Sequence, residues 1–357
     1  MMADNFEAEL DSSDTSVAEF EGHRSLLDKF QHFLHANPAM VPVIILAVSI
    51  VGFGLVAGER FFSPFTLGLI MQQVAIVGIL ACAQTLVILT AGIDLSVGAV
   101  MVLSYVVMGN LGVTYGMPAG FAIIIGILVG MACGMLNGVL VTRLKLPPFI
   151  VTLGSWRIFL ASVFLYTGSQ SIRSQDIDAE APALKFFGGK VTFIDDLIGF
   201  NANITYGVVL MLVIFLVFWY LLTNTAWGRA VYAVGDDKDA AELAGIRSDR
   251  ILVSVYVVAG FICGIAAWAA IGRVGSVSPS SFQEANLESI AAVVIGGTSL
   301  FGGRGAILGS LFGALIVGVF AAGLRLAGAD PQWVLFASGC LIILAVSIDQ
   351  WIRRVSV

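Results

Sequence analysis

The chain has 357 residues, 58% hydrophobic and 12% charged, with a mean hydropathy of +0.96; a soluble domain carries roughly 25% charged and about 45 to 50% apolar residues. This composition excludes a soluble globular protein, and apolar runs near the roughly 20 residues that cross a bilayer give an all-α, polytopic transmembrane helical bundle. The net charge of −6 is set largely by an acidic N-terminal segment, which leaves no basic surface for nucleic acid.

Residues 1–39 read as a cytoplasmic tail. The opening MMADNFEAEL has no positive stretch followed by an apolar one, so a cleaved secretory signal is not expected. Leu26, Leu27, Phe30, Phe33 and Leu34 recur at helical spacing, the pattern of a short amphipathic helix lying on a membrane surface. A disordered tail fits the part before Glu21 better.

Residues 40–350 form the membrane domain, and 351–357 a cytoplasmic C-terminal tail. Apolar runs between Gly, Pro and charge breaks predict about ten spans, near 40–55, 67–90, 97–113, 118–141, 149–167, 204–222, 251–271, 287–300, 306–324 and 333–348. The eighth run is short enough for a re-entrant or broken helix. With the N-terminus inside, the inner loops and tails hold 11 Lys and Arg, among them Arg143, Lys145, Arg229 and Lys238, against six outside, among them Arg173 and Lys185. The positive-inside rule then places both termini in the cytoplasm and segment 168–203 outside.

His23, His32 and His35 all precede the first span, so no imidazole is available for an intramembrane metal site or a Ser/His/Asp triad. Cys82, Cys133, Cys263 and Cys340 lie in apolar runs without CxxC spacing and read as small buried hydrophobes. Arg157 falls within the fifth run. Either it sits inside the span and faces a partner or a wet cavity, or the stretch after Pro148 is interfacial and the side chain snorkels to the headgroups.

Polar residues within spans are costly against lipid and must face protein or a cavity. Gln72, Gln84, Asp94, Asn137, Thr152, Ser155, Trp156 and Glu288 are therefore candidates for a solute pathway, and equally for interhelical glue. Gly126, Gly130 and Gly134, at four-residue spacing, point to close helix packing. Two strings interrupt helices: AGIDLSVG, residues 91–98, and IGGTSLFGGRG, residues 295–305. Paired breaks can expose backbone groups to a polar solute; two tight turns at the cytoplasmic surface are the other reading.

The inner loop 223–250 opens with TNTAW (223–227), passes through Gly228 and Arg229, and continues as AVYAVGDDKDAAELAGIRSDR (230–250). Asp236 is the expected N-cap of a short helix, Asp237 and Asp239 put negative charge in its first turn, and Ala240, Ala241, Leu243 and Ala244 favour the helix. Gly245 can take the left-handed C′ position. Such a rod, roughly 12 Å long, suits either a simple connector or insertion into another protein.

The stretch 228–246, which is Gly228 and Arg229 followed by AVYAVGDDKDAAELAGI, resembles the cytoplasmic loop of permease subunits of ribose-type, carbohydrate-importing ABC transporters. LTAGIDLSVGAVM (89–101), LPPFIVTLGS (146–155) and IAAVVIGGTSLFGGRGAILGSLFGALIVG (290–318) are similar to further strings of that family, in its order, and extend the likeness over about residues 66–354. The resemblance implies a permease subunit that moves a monosaccharide across the cytoplasmic (inner) membrane by alternating access. It implies a coupling helix carried by Gly235, Asp236, Asp237, Ala240, Ala241, Leu243, Ala244 and Gly245. The implied partners are a cytoplasmic ABC ATPase, an extracytoplasmic sugar-binding protein, a second permease chain in a homodimer, and membrane lipid. The family often has Asn where Asp237 stands, and a basic residue near Leu160 where this chain has Arg157.

The sequence contains no Gly-x-x-x-x-Gly-Lys-Ser/Thr phosphate loop, so the chain is not expected to hydrolyse ATP, and no cofactor is expected. A branched-chain amino acid or a nucleoside is the neighbouring alternative as solute. An ion-coupled secondary transporter is the rival of another class, resting on Glu288 and Asp94 as intramembrane carboxylates.

Overall fold

The computed structural model describes residues 40–192 and 203–354. The amphipathic stripe expected at residues 26–34 lies outside the described residues. Each of the ten apolar runs is a helix. In chain order these are α1 (Met40–Ala57), α3 (Pro64–Leu89), α4 (Val97–Gly109), α5 (Ala119–Arg143) and α6 (Pro148–Thr167), then α8 (Tyr206–Asn224), α11 (Ser248–Val274), α12 (Ala285–Ile295), α13 (Ile307–Leu326) and α14 (Pro331–Arg354). Between them lie the shorter α2 (Glu59–Phe62), α7 (Ser174–Glu180), α9 (Ala226–Asp236) and α10 (Lys238–Leu243). Among the described residues there is no β-strand, only isolated bridges such as Ile172 to Val277.

Eight of the helices are long and apolar enough to cross a membrane, with α4 counted together with a π-helical turn over Asn110–Thr114. Helices α12 and α14 are not among the eight, and α12 is the short one. It has 11 residues, about 16 Å at 1.5 Å each, half the thickness of the hydrocarbon core. It stops before its expected end because Gly296 caps it and Gly297 follows with φ 82°, a conformation open to glycine at no steric cost.

The spans are tied together by backbone proximity. In lipid the apolar surface of a helix gains little by leaving its surroundings, so association depends on close van der Waals packing and small residues. The widest helix pair is α5 with α11, and glycine makes it possible. A Cβ on Gly130 would run into the Gly260 carbonyl, one on Gly134 into the Tyr256 carbonyl, and one on Gly260 into the Gly130 carbonyl. Gly126 does the same service against Met108 of α4. The pair α12 and α13 repeats the device, with Gly313 against the Ala292 carbonyl and Gly309 against that of Gly296.

The chain ends of the helices sort to two faces. At one, the 3-10 turn Pro182–Gly188 lies on the end of α11, with Gly188 against Gly272 and the Trp268 indole N–H donating to the Ala183 carbonyl at 3.2 Å. Gln72 Nε2 donates to the Asn203 carbonyl there, at 2.9 Å. At the other lie the end of α3, the start of α6 and the whole of α9 and α10. Helix α6 runs unbroken from Pro148, so Arg157 stands about 14 Å along a helix of roughly 30 Å.

Candidate functional site

The two interruptions meet. After α3, Ala91 turns the chain at φ 58° and the Gly92 N–H bonds back to the Val87 carbonyl. Asp94 Oδ1 then accepts from the N–H and the hydroxyl of Ser96, at 2.7 and 2.6 Å, and so starts α4 two residues ahead of it. The second interruption, between α12 and α13, has Gly297, Gly302, Gly303 and Gly305 all at positive φ. Its Gly303 N–H donates to the Leu89 carbonyl at the end of α3, 3.0 Å away. Both therefore form one junction at the face that carries the 223–250 loop.

Helix α9 covers that junction. Thr225 caps it by accepting from the Gly228 N–H at 3.2 Å, and the Tyr232 hydroxyl donates to the Gly305 carbonyl at 2.9 Å. Burial pushes the Tyr232 phenol above its ordinary range, so it keeps the proton it donates. Gly235 is buried against the Leu89 carbonyl, where a Cβ would collide, and Asp236 ends the helix beside Gly303.

The expected cap of the next helix shifts by one residue. Asp236 belongs to α9, and Asp237, with extended backbone, accepts from the N–H groups of Asp239 and Ala240, both at 2.9 Å, to start α10. The reason is the compact α9: its own last turn claims Asp236. Gly245 follows at φ 86°, in the left-handed position expected of it. Ala241 also departs from the expected contact face. It is 4% exposed, packed among Val234, Leu252, Ile246 and Ile251 of its own chain. Ala240, Leu243 and Ala244 are exposed instead, and at spacings of three and four they share one face. Leu243 is 91% exposed.

The eight candidate pathway residues divide by what their polar atoms do. Asp94, Asn137, Thr152 and Ser155 serve the fold around the first break: Asn137 Nδ2 donates to Ser96 Oγ at 2.8 Å, Thr152 Oγ1 to the Ile93 carbonyl at 2.9 Å, and Ser155 Oγ to the Thr152 carbonyl at 3.3 Å. Gln72 ties α3 to Asn203. Gln84 is fully buried with neither amide atom bonded. Trp156 and Glu288 line cavities.

Three cavities lie along α12. One of about 330 Å³ is bounded by Gly98, Ala99 and Val102 of α4, Trp156, Arg157 and Leu160 of α6, and residues 281–284 with Asn286. A second, of about 250 Å³, shares Phe282, Gln283 and Glu284 with it and adds Gln73, Arg273 and Glu288. A third, of about 520 Å³, is a mostly apolar groove between α12, α13 and α14. The turn of Phe282, Gln283 and Glu284 forms the common wall of the first two. The apolar run that predicts this half-helix begins at 287, past Gln283 and Glu284, which precede α12, and Asn286 in its first turn; their signal in the sequence is the polar string SSFQEAN inside a hydrophobic region.

Helices of bilayer length, a half-helix, and irregular backbone lining polar cavities between them define a multi-pass membrane transport protein. The family model described as "Branched-chain amino acid transport system / permease component" matches residues 66–346. Among curated relatives, the fructose import permease protein FrcC of Rhizobium meliloti is 59% identical over 98% of this chain and 96% of its own. The ribose import permease protein RbsC of Bacillus subtilis is 36% identical, over 86% of this chain and 90% of its own. The D-allose transport system permease protein AlsC of Escherichia coli is 33% identical, over 87% and 91%. No solved structure matches the chain significantly. The chain belongs to this permease family and is a multi-pass transport component of the inner membrane.

Proposed function

We propose that the chain is the membrane-spanning subunit of an ATP-driven ABC importer that carries a monosaccharide, fructose first among them, into the cytoplasm. The observation that carries this reading is the 59% identity to a fructose import permease along nearly the whole of both chains, backed by ribose and allose permeases at 33 to 36%. The wording of the family model admits amino acids as well; sugar permeases as relatives favour a sugar.

In this reading the face carrying α9 and α10 is cytoplasmic, both termini are cytoplasmic, and an ABC ATPase docks on Ala240, Leu243 and Ala244. Two copies of the chain enclose the pathway, and an extracytoplasmic binding protein delivers the sugar at the opposite face. The mechanism follows from the junction. A push on α10 passes through its cap to α9, and α9 rests on both helix interruptions through Tyr232 and Gly235. ATP-driven closure of the ATPase pair thereby biases a two-state membrane domain between outward and inward openings, without covalent chemistry in this chain.

Reconstitution tests it. Proteoliposomes holding the chain, its ATPase and the binding protein should accumulate labelled fructose with ATP, and the chain alone should not. Accumulation by the chain alone under a proton or sodium gradient would replace the ABC reading with a secondary transporter.

A further inference from the structure

Around the cavity of about 330 Å³ stands a set of polar groups, among them the exposed side chains of Arg157, Gln283 and Glu284. Among the described residues, the Arg157 guanidinium, the Glu284 carboxylate and the Gln283 amide have neither an ion pair nor a hydrogen bond; the two ion pairs present, Lys185 with Asp178 and Lys238 with Asp249, lie elsewhere. Asn286 spends its Oδ1 on the Gly98 N–H, which leaves its NH₂ group over. The Trp156 indole N–H is also without an acceptor among the described residues. Its ring lies under the Arg157 guanidinium, 4.6 Å from centroid to charge centre.

Arg157 is near the middle of its span, where an ionised side chain is expensive and belongs to a pathway or a partner. The groups are complementary in kind. Arg157, Trp156 and Asn286 Nδ2 only donate, Glu284 only accepts, and Gln283 does both. An inorganic ion satisfies one of these sets. A polyol satisfies both, because each hydroxyl donates and accepts, and the indole adds apolar surface for C–H groups. The volume sits at the lower end of the roughly 300 to 1,000 Å³ of ligand pockets, suited to one small solute.

The wall points the same way. Phe282, set edge-on to Tyr105 at 5.9 Å, holds φ 58°, a costly conformation for a bulky side chain. Such strain gathers at ligand clamps and switches. Phe282 borders both this cavity and the one beside it.

We propose that this cavity is the transit-binding site for the monosaccharide, with Arg157 and Glu284 reading its hydroxyls from opposite hydrogen-bonding senses and Trp156 as its apolar platform. The inference rests on the sugar-import reading above.

The test uses the complete importer in proteoliposomes. Arg157→Gln and Glu284→Gln should each cut labelled fructose uptake roughly 10-fold or more, the loss expected for one hydrogen bond to a charged group. ATP hydrolysis stimulated by the loaded binding protein should persist. Trp156→Phe should retain more uptake than Trp156→Ala. Uptake near the wild-type rate in all of these would overturn the site while leaving sugar import standing. Wild-type importer that moves leucine and not fructose would overturn the sugar instead, since Arg157 and Glu284 also complement a zwitterion. A second measurement covers variants that fail to assemble. Gln283→Cys, in a Cys340→Ser background, should react with a small thiol reagent more slowly in saturating fructose, and an unchanged rate would count against the site.

Discussion

The Asp237 carboxylate holds two backbone N–H groups at 2.9 Å, while Asp236 belongs to the last turn of α9, so neighbouring aspartates should respond differently to truncation. Asp237→Ala should destabilise α10 by about 0.5 to 2 kcal/mol, the range for losing an N-cap. Hydrogen exchange over residues 238–243 should quicken in Asp237→Ala and stay nearly unchanged in Asp236→Ala; equal protection in both would contradict the cap. Leu243 and Ala241 make a second pair. Leu243 projects from the loop with 91% of its surface exposed, whereas Ala241 is packed against Val234 and Leu252. Leu243→Glu should therefore abolish binding of the ATPase and leave the purified chain as stable as before. Ala241→Arg should lower the chain's own melting temperature, because a charged side chain cannot replace a methyl in that packing.

At the scale of elements, α5 and α11 touch along a seam where glycine is the only side chain that fits. Gly134→Leu drives a side chain at the Tyr256 backbone and should cost at least the roughly 1 to 3 kcal/mol of an overpacked core, read as earlier loss of the monodisperse species on heating in detergent. Gly120, on the same helix, has open space where its Cβ would stand, and Gly120→Ala should be neutral or slightly stabilising. This seam was legible in the sequence as Gly126, Gly130 and Gly134, because small residues at four-residue spacing have one dominant physical use in a membrane helix. Hydrophobic length likewise marked the helices, eight of which are long and apolar enough to cross a membrane among the described residues. The cavity was not so marked. Asp94, Asn137 and Thr152 stood out as polar residues in apolar runs, yet their hydrogen bonds close the first helix break, and polarity alone does not say which way a side chain faces. Gln283 and Glu284 just before a half-helix, and Asn286 in its first turn, escape notice because hydropathy has no full-length run there to mark.

Across the whole molecule the described ends fall on two faces, and the charges distinguish them. Arg143, Lys145, Arg229, Lys238, Arg247 and Arg250 gather at the face of α9 and α10, while Asp176, Asp178 and Glu180 stand with Lys185 at the other. Positively charged loops are retained in the cytoplasm, so the first face should be cytoplasmic. The contacts add a geometric demand, since Ile172 bridges to Val277 and Gln72 to Asn203: the segment after α6, the start of α3 and the end of α11 must share a side. A cysteine at Asp178 and another at Lys238, each in a chain with the four native cysteines replaced, decide it. Both positions are exposed, so accessibility depends on the side alone. In intact cells an impermeant thiol reagent should label Asp178→Cys and spare Lys238→Cys until the membrane is opened. The reverse pattern would put α10 outside the cell, out of reach of any cytoplasmic ATPase, and with it would go the argument that the push enters through Leu243.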